Sequence, residues 1–296
     1  MTLMETRVPA VAETPAAPGK RRSRRRQSPN VAGAAGAFCW LAIVLVPVYW
    51  LVLGSLRRQA GFLENNQWLP PGDATLDNYR TVLTSGFGTY VVNSLIVTVA
   101  TVVLVVLAAL LAAYVIVRSR RRVTRAAFKA MLAGLAIPSH AVIIPIYFLI
   151  TRLHLYDSLL ALVLPTAAFG LPVAILVMVA FMRDVPSALF DAMRIDGASE
   201  WRILWSLVAP LSRPAMITVG IYTAIQAWNG FLFPLILTQS PDMRVLPLSL
   251  WTFQGEFQVD VPAVLAAVVL SSLPLFAAYL VGRRQLLAGL TAGFGR

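Results

Sequence analysis

RDVPSALFDAMRIDGASEWRILWSLVAPLSRP, residues 183–214, is a polar island between two long apolar runs. Pro186 and Ser187 form a helix start signal, residues 188–195 read as a short helix, and Gly197 is a natural left-handed stop. Ser199 is placed to cap a second helix. There Trp201, Leu204, Trp205 and Val208 recur at i, i+3, i+4 and i+7 as an apolar stripe, closed by Pro210 and Pro214. Two short helices joined at a tight Asp196–Gly197 turn suit a projection that docks into a partner's groove. They suit equally an interfacial hairpin resting on lipid, and the pattern leaves both readings open.

Outward from this island lie six apolar runs, at residues 31–56, 90–117, 127–150, 159–181, 215–237 and 261–281. Each exceeds the roughly 20 residues that cross a hydrocarbon layer of about 30 Å as a helix. With 58% hydrophobic and 13% charged residues in a chain of 296, the composition goes beyond what a soluble core needs. Backbone groups in lipid must bond within their own segment, so the expected fold is an all-α integral membrane protein with six transmembrane helices. Pro47, Pro138, Pro145, Pro165, Pro172 and Pro274 mark positions for kinks. The expected organisation is a disordered basic arm at 1–30, a six-span domain at 31–284 containing the 183–214 loop, and a C-terminal tail at 285–296.

Twenty of the 25 Lys and Arg residues lie in the arm, the 118–129 and 183–214 connections and the C-terminal end. Arg57, Arg58, Arg80, Arg152 and Arg244 lie on the opposite connections. The positive-inside rule then puts both termini and the 183–214 island in the cytoplasm of a multi-pass protein of the inner (cytoplasmic) membrane. The arm's Lys20 and its following arginines are better suited to anionic lipid than to nucleic acid, since each basic residue near such a surface gains about 1 kcal/mol. The 31–56 run is longer than a signal-peptide core of about 7 to 15 residues, so a retained first span is expected.

Function is narrowed by elimination. No Asp or Glu falls within the six runs, and His140 is the one histidine there, so no proton or sodium relay is evident. Of the two lysines, Lys20 precedes Arg21 and Lys129 precedes Ala130, which rules out a Walker A loop. Active transport would therefore draw its energy from another chain. Cys39 alone and two histidines leave no intrachain disulfide and none of the usual Cys/His metal sites, and no cofactor is expected on this chain. Ser139 and His140 lack a GxSxG frame and a placed acid, so no enzyme is expected, while His154 and Asp157 read as solvated residues of a short external turn.

In the fifth run, Tyr222, Gln226 and Asn229 stand at i, i+4 and i+7 beside Trp228. Polar groups on such a stripe either hold helices together or line a path, and an uncharged lining suits sugars better than ions. The external 238–260 stretch carries Asp242, Glu256 and Asp260 with Trp251 and Phe253, a mixture that serves a protein contact or interfacial anchoring.

Asp191-Ala192-Met193, Asp196-Gly197-Ala198 and the prolines Pro210 and Pro214 resemble the EAA loop of ATP-binding-cassette (ABC) importer permeases, with Asp191 for the usual Glu and Met193 for the second alanine. Asn93-Ser94-Leu95, the stretch from Trp228-Asn229 to Leu235, and Gly289-Leu290-Thr291-Ala292-Gly293 further resemble the maltose-type carbohydrate permeases on the MalG side, the match departing after Gly293. The resemblance implies a type I ABC importer permease fold and a second, non-identical permease as mate. It also implies two ATPase subunits that hold ATP and Mg, and an extracytoplasmic sugar-binding protein. It implies that Asp191, Ala192, Asp196, Gly197 and Ala198 couple to an ATPase, and Asp191 is then expected to pair with a basic residue there. On the same footing, Gly289, Leu290, Thr291 and Gly293 reach between the ATPases, and Trp251 and Phe253 meet the binding protein. Permeases of the same superfamily for polyamines, amino acids or phosphate, and a stand-alone carrier, are the competing readings.

Overall fold

The computed structural model describes residues 31–60, 62–63, 66–253 and 259–292. The arm at 1–30, Glu256 and Gly293 lie outside the described residues. In chain order the α-helices are α1 (Val31–Ser55), α2 (Asp77–Thr84), α3 (Phe87–Arg118), α4 (Arg122–Ala133), α5 (Ile143–Arg152), α6 (Leu159–Arg183) and α7 (Ser187–Ile195). They continue as α8 (Glu200–Ile203), α9 (Ala209–Leu211), α10 (Arg213–Trp228), α11 (Leu232–Leu237), α12 (Leu246–Ser249) and α13 (Val261–Ala292). The chain divides into two units, residues 1–47 and 48–296. Within the first, the described part is helical and its Phe38, Trp40 and Ile43 are exposed, the burial pattern of a surface made for lipid.

Among the described residues three unbroken stretches are long and apolar enough to cross a membrane: Gly33–Ser55, Phe87–Arg118 and Leu159–Arg183. These match three of the six runs. Two others are broken. The 127–150 run bends by 97° where Gly134–Ala136 and Ser139–Val142 form 3-10 turns around Pro138. Proline lacks the amide that a continuing helix needs and pushes Ile137 out of helical geometry, its ψ being 112°. The 215–237 run stops at Trp228 and restarts at Leu232: the Asn229 side chain donates back to the Ile225 carbonyl, the Gly230 amide bonds Ala227 O at 3.3 Å instead of continuing the i→i−4 ladder, and Pro234 has no amide to bond Gly230. The sixth run lies in α13, which is apolar over Val261–Ala277 and continues as helix through residues 285–292, the start of the expected C-terminal tail.

Helices α3, α6 and α10 form the centre of the second unit. Ala109 and Ala113 of α3 and Ala167 and Ala174 of α6 are fully buried, and small residues let helix axes approach where lipid removes the usual hydrophobic drive. Leu110, Ile175, Met178 and Met182 fill the space between them, and Val219 brings in α10. The same core reaches Phe190, Ile203, Leu204 and Val208, so the 183–214 island is built onto the bundle rather than tethered beside it. A second cluster joins Val82, Phe87, Tyr90, Trp228, Leu246 and Phe253 to α13, and a third joins Val97, Ile150, Leu162 and Leu237.

Candidate functional site

The island folds as the helical hairpin its punctuation implies. Helix α7 begins after Pro186 and ends in a left-handed Gly197 with φ of 75°. The Gly197 amide donates to Arg194 O at 3.0 Å and the Ala198 amide to Met193 O at 2.9 Å, the paired bonds of a Schellman turn. Ser199 Oγ caps α8 by accepting from the Arg202 amide at 3.3 Å. After Ile203 the helix widens into a π-helical turn over Leu204–Val208 before α9. The widened turn alters the expected stripe. Leu204 and Val208 are buried together with Ile203, whereas Trp201 and Trp205 are 63% and 47% exposed. Four residues do not therefore share one packed face, since a 3.6-residue period does not hold through a π turn.

Two side chains of α3 hold the hairpin down. The Arg118 guanidinium lies 4.5 Å from the centroid of the Phe190 ring, which is itself 3% exposed. The Tyr114 hydroxyl donates to Glu200 Oε2, and Arg194 Nη2 binds Glu200 Oε1 at 2.7 Å, tying the two arms of the hairpin across its turn. The Tyr114 hydroxyl first and Arg194 second hold the Glu200 carboxyl below the usual carboxylate range, and Glu200 in turn raises Arg194. Glu200 was not among the residues singled out from sequence; its signal was the position three beyond the turn glycine, six residues from Arg194.

What the hairpin presents outward is the opposite edge. Asp191, Ala192, Asp196 and Gly197 are exposed, Ala198 is half-buried, and Leu189 and Ile195 add exposed apolar surface, Ile195 at 86%. Among the described residues the Asp191 carboxylate has no hydrogen-bonded or ion-paired partner and acts on Arg194 only through space.

Between α3, α6, α10 and the broken α4–α5 segment lies a cavity of about 410 Å³. Tyr222 and Gln226 line it, as do Ser94, Ser139, His140, Thr166 and Thr223. The bend at Pro138 brings Ser139 and His140 onto the same space as the α10 stripe, a juxtaposition invisible in their sequence positions. Asn229 and Trp228 do not line the cavity: Asn229 serves as the α10 cap, and Trp228 is buried in the cluster with Tyr90 and Phe253. Among the described residues, the cavity's lining contains no Asp, Glu, Lys or Arg.

At the other end of the bundle the 238–253 stretch is fastened to its neighbours. Asn93 Nδ2 donates to the carbonyls of Asp242 at 2.7 Å and Arg244 at 2.9 Å, and Ser94 Oγ accepts from the Leu246 amide at 2.8 Å. Asp157, at φ of 58°, is a clamp rather than a solvated loop residue. It accepts from the amides of Gln239 at 2.8 Å and Ser240 at 3.0 Å and from the Ser240 hydroxyl, and that hydroxyl, then the Gln239 amide, lowers its carboxyl from the usual range. Trp251 is 50% exposed with its ring against Phe231, while Phe253 is buried. Gly289, Leu290 and Thr291 fall in the last turns of α13.

Comparison with known proteins bears on this arrangement. Residues 105–285 match the family described as binding-protein-dependent transport system inner membrane component. The chain is 39% identical over 254 residues to a putative ABC transporter permease protein, ORF2, of Caldicellulosiruptor sp. (strain Rt8B.4), covering 86% of this chain and 92% of that protein. It is 29% identical over 257 residues to the diacetylchitobiose uptake system permease protein NgcG of Streptomyces coelicolor, covering 86% and 85%. In fold it resembles a chain in the crystal structure of a bacterial ABC transporter involved in the import of the acidic polysaccharide alginate, with a TM-score of 0.75, 22% identity, and coverage of 86% of this chain and 95% of that one.

Proposed function

The chain belongs to the family of binding-protein-dependent transport system inner membrane components, and we propose that it is the permease subunit of an ABC importer for sugars or oligosaccharides. It contributes six spans and half of the translocation path, pairs with a second, non-identical permease, and is driven by two ATPase subunits that bind ATP and Mg. It catalyses no reaction of its own. An extracytoplasmic sugar-binding protein delivers the cargo to the side bearing the 238–260 stretch, where exposed Trp251 is available and buried Phe253 shapes the surface beneath it. Both termini and the hairpin face the cytoplasm of the inner membrane, a reading supported by the distribution of Lys and Arg.

The observation that carries the proposal is the hairpin. Its inner face shares a core with α3 and α6, while its outer edge offers Asp191, without an ion-paired partner among the described residues, near a left-handed Gly197 turn. Such a part transmits displacement: the ATPase binds the edge of Asp191, Ala192, Asp196, Gly197 and Ala198, and movement passes through Phe190 and Glu200 into the bundle. Coupling requires that the hairpin bind the two ATPase states with different free energy. The Gly289-Leu290-Thr291-Gly293 end reaches between the ATPases. The cargo assignment is supported by the uncharged cavity walled by Tyr222 and Gln226, with Trp228 and Asn229 setting where α10 ends, and by the disaccharide permease among the relatives.

The test is Asp191→Ala in the reconstituted complex. Leaving a basic partner unpaired at the interface costs about 2 kcal/mol or more, so ATP-driven uptake of oligosaccharide is expected to fall at least tenfold with all subunits present. Full coupled uptake by that variant would refute the ion-pair role. Uphill transport by the purified chain alone would refute the whole assignment.

A further inference from the structure

Helix α4 carries Arg122, Arg125 and Lys129 on one stripe, three and four residues apart, around a concavity of about 310 Å³ that they line with Ala126. All three are exposed, whereas Phe128, on the flank of the helix, and Met131, across from the stripe, pack against the α3–α6 core. The stripe therefore points away from the bundle. Arg120 and Arg121 precede it, and no Asp or Glu occurs between residues 118 and 156. The first turn of α4 contains no acidic residue and its N-cap, Arg121, makes no side-chain capping bond, so the amides there add to the positive field. Directly after α4, at Gly134 and Leu135, opens a groove of about 510 Å³ bounded by Ile146, Leu149, Leu164 and Phe169 among others, with no polar side chain among the described residues that line it.

We propose that the α4 stripe and this groove together form a binding site for one anionic phospholipid, the phosphate held by Arg122, Arg125 and Lys129 and an acyl chain laid in the groove. A phosphate ester with a hydrocarbon tail fits both halves; a soluble anion would use the first half alone, and an acidic protein surface would leave the groove empty. The stripe lies in the basic 118–129 connection, where the chain leaves α3 and enters the broken third span, which puts it at headgroup depth, where basic side chains meet lipid phosphate. The site is separate from the hairpin edge and from the polar cavity, although Leu135, Ile137 and Phe169 line both spaces. Lipid occupancy would thus brace the bent α4–α5 segment that walls the path.

The experiment is native mass spectrometry of the full-length chain in neutral detergent with added phosphatidylglycerol, phosphatidylcholine or inorganic phosphate. Wild-type protein is expected to retain phosphatidylglycerol at least tenfold more strongly than phosphatidylcholine. The Arg122→Gln/Arg125→Gln/Lys129→Gln variant is expected to lose that preference by at least tenfold, as about fivefold per charge implies. The single Lys129→Gln change gives a partial loss in a chain with one exposed substitution, and Arg80→Gln, outside the stripe, leaves retention unchanged. The basic arm is common to all variants and cancels in the comparison. Equal retention of the two lipids by wild type, unchanged retention by the triple variant, or full displacement of phosphatidylglycerol by inorganic phosphate would each overturn the proposal.

Discussion

In the proposed coupling Phe190 is the joint between hairpin and bundle, and its replacement is expected to loosen the one from the other. Its ring is 3% exposed, packed into the core shared by α3, α6 and α8, and covered by Arg118 at 4.5 Å. Truncating a buried Phe to Ala costs about 3–5 kcal/mol. The low end applies here, because a hairpin at the edge of a core can settle inward. A loss of about 3 kcal/mol shifts the local opening equilibrium of the hairpin by roughly 100-fold, at about 1.4 kcal/mol per decade. Hydrogen exchange followed by mass spectrometry on peptides covering 187–208 reads that equilibrium, with peptides from α3 as the internal control. In Phe190→Ala, protection in the hairpin falls by about that factor, α3 stays protected, and ATP hydrolysis in the complex loses its link to uptake. Phe190→Leu, which keeps most of the volume, stays within a few-fold of wild type. Unchanged hairpin protection in a folded Phe190→Ala protein, or equal loss throughout α3, would show that the hairpin is not held at this point.

The remaining predictions concern the other fastenings. The depressed Glu200 carboxyl contributes stability that is present above its ordinary unfolded range and lost as pH falls through its folded value. Hairpin protection should therefore drop on acidification below about pH 4, and Tyr114→Phe should move that transition upward by removing the larger cause, as followed by the fluorescence of exposed Trp201 and Trp205. Gly197→Val should prevent assembly with the ATPases, since a β-branched residue at φ of 75° is strained by about 1–2 kcal/mol or more although nothing lies within 4 Å of its Cβ. Gly197→Asn should assemble, and normal yield of the valine complex would contradict the turn's role. Asp157→Ala should release residues 238–240, at a cost of roughly 1–2 kcal/mol for three lost acceptor bonds on a half-exposed carboxylate, seen as faster exchange there and reduced response to the binding protein. Exchange unchanged in that variant would deny the clamp.

Local chemistry determined a good deal by itself. Hydrophobic runs of sufficient length, the capping Ser199, the left-handed Gly197 and the bounding prolines are properties of short segments, and the helices α1, α3, α6 and α7 follow from them with ends displaced by a few residues. Family membership was legible for the same reason, because the residues that carry the resemblance lie in a few short continuous stretches. The tertiary structure decided what depends on residues distant in sequence. Pro138 could be read as a kink, but only the tertiary structure shows a 97° break that puts His140 on the same cavity as Gln226. Trp201 and Leu204 look alike in a periodicity count; the π turn and the available core volume chose to bury one and expose the other. Asp157 and Glu200 are ordinary carboxylates in the chain, and each became a fastening because a serine 83 residues away or a tyrosine 86 residues away was carried to it by helix packing. Hydrogen bonds across such separations are specified by the fold as a whole, and no local pattern encodes them.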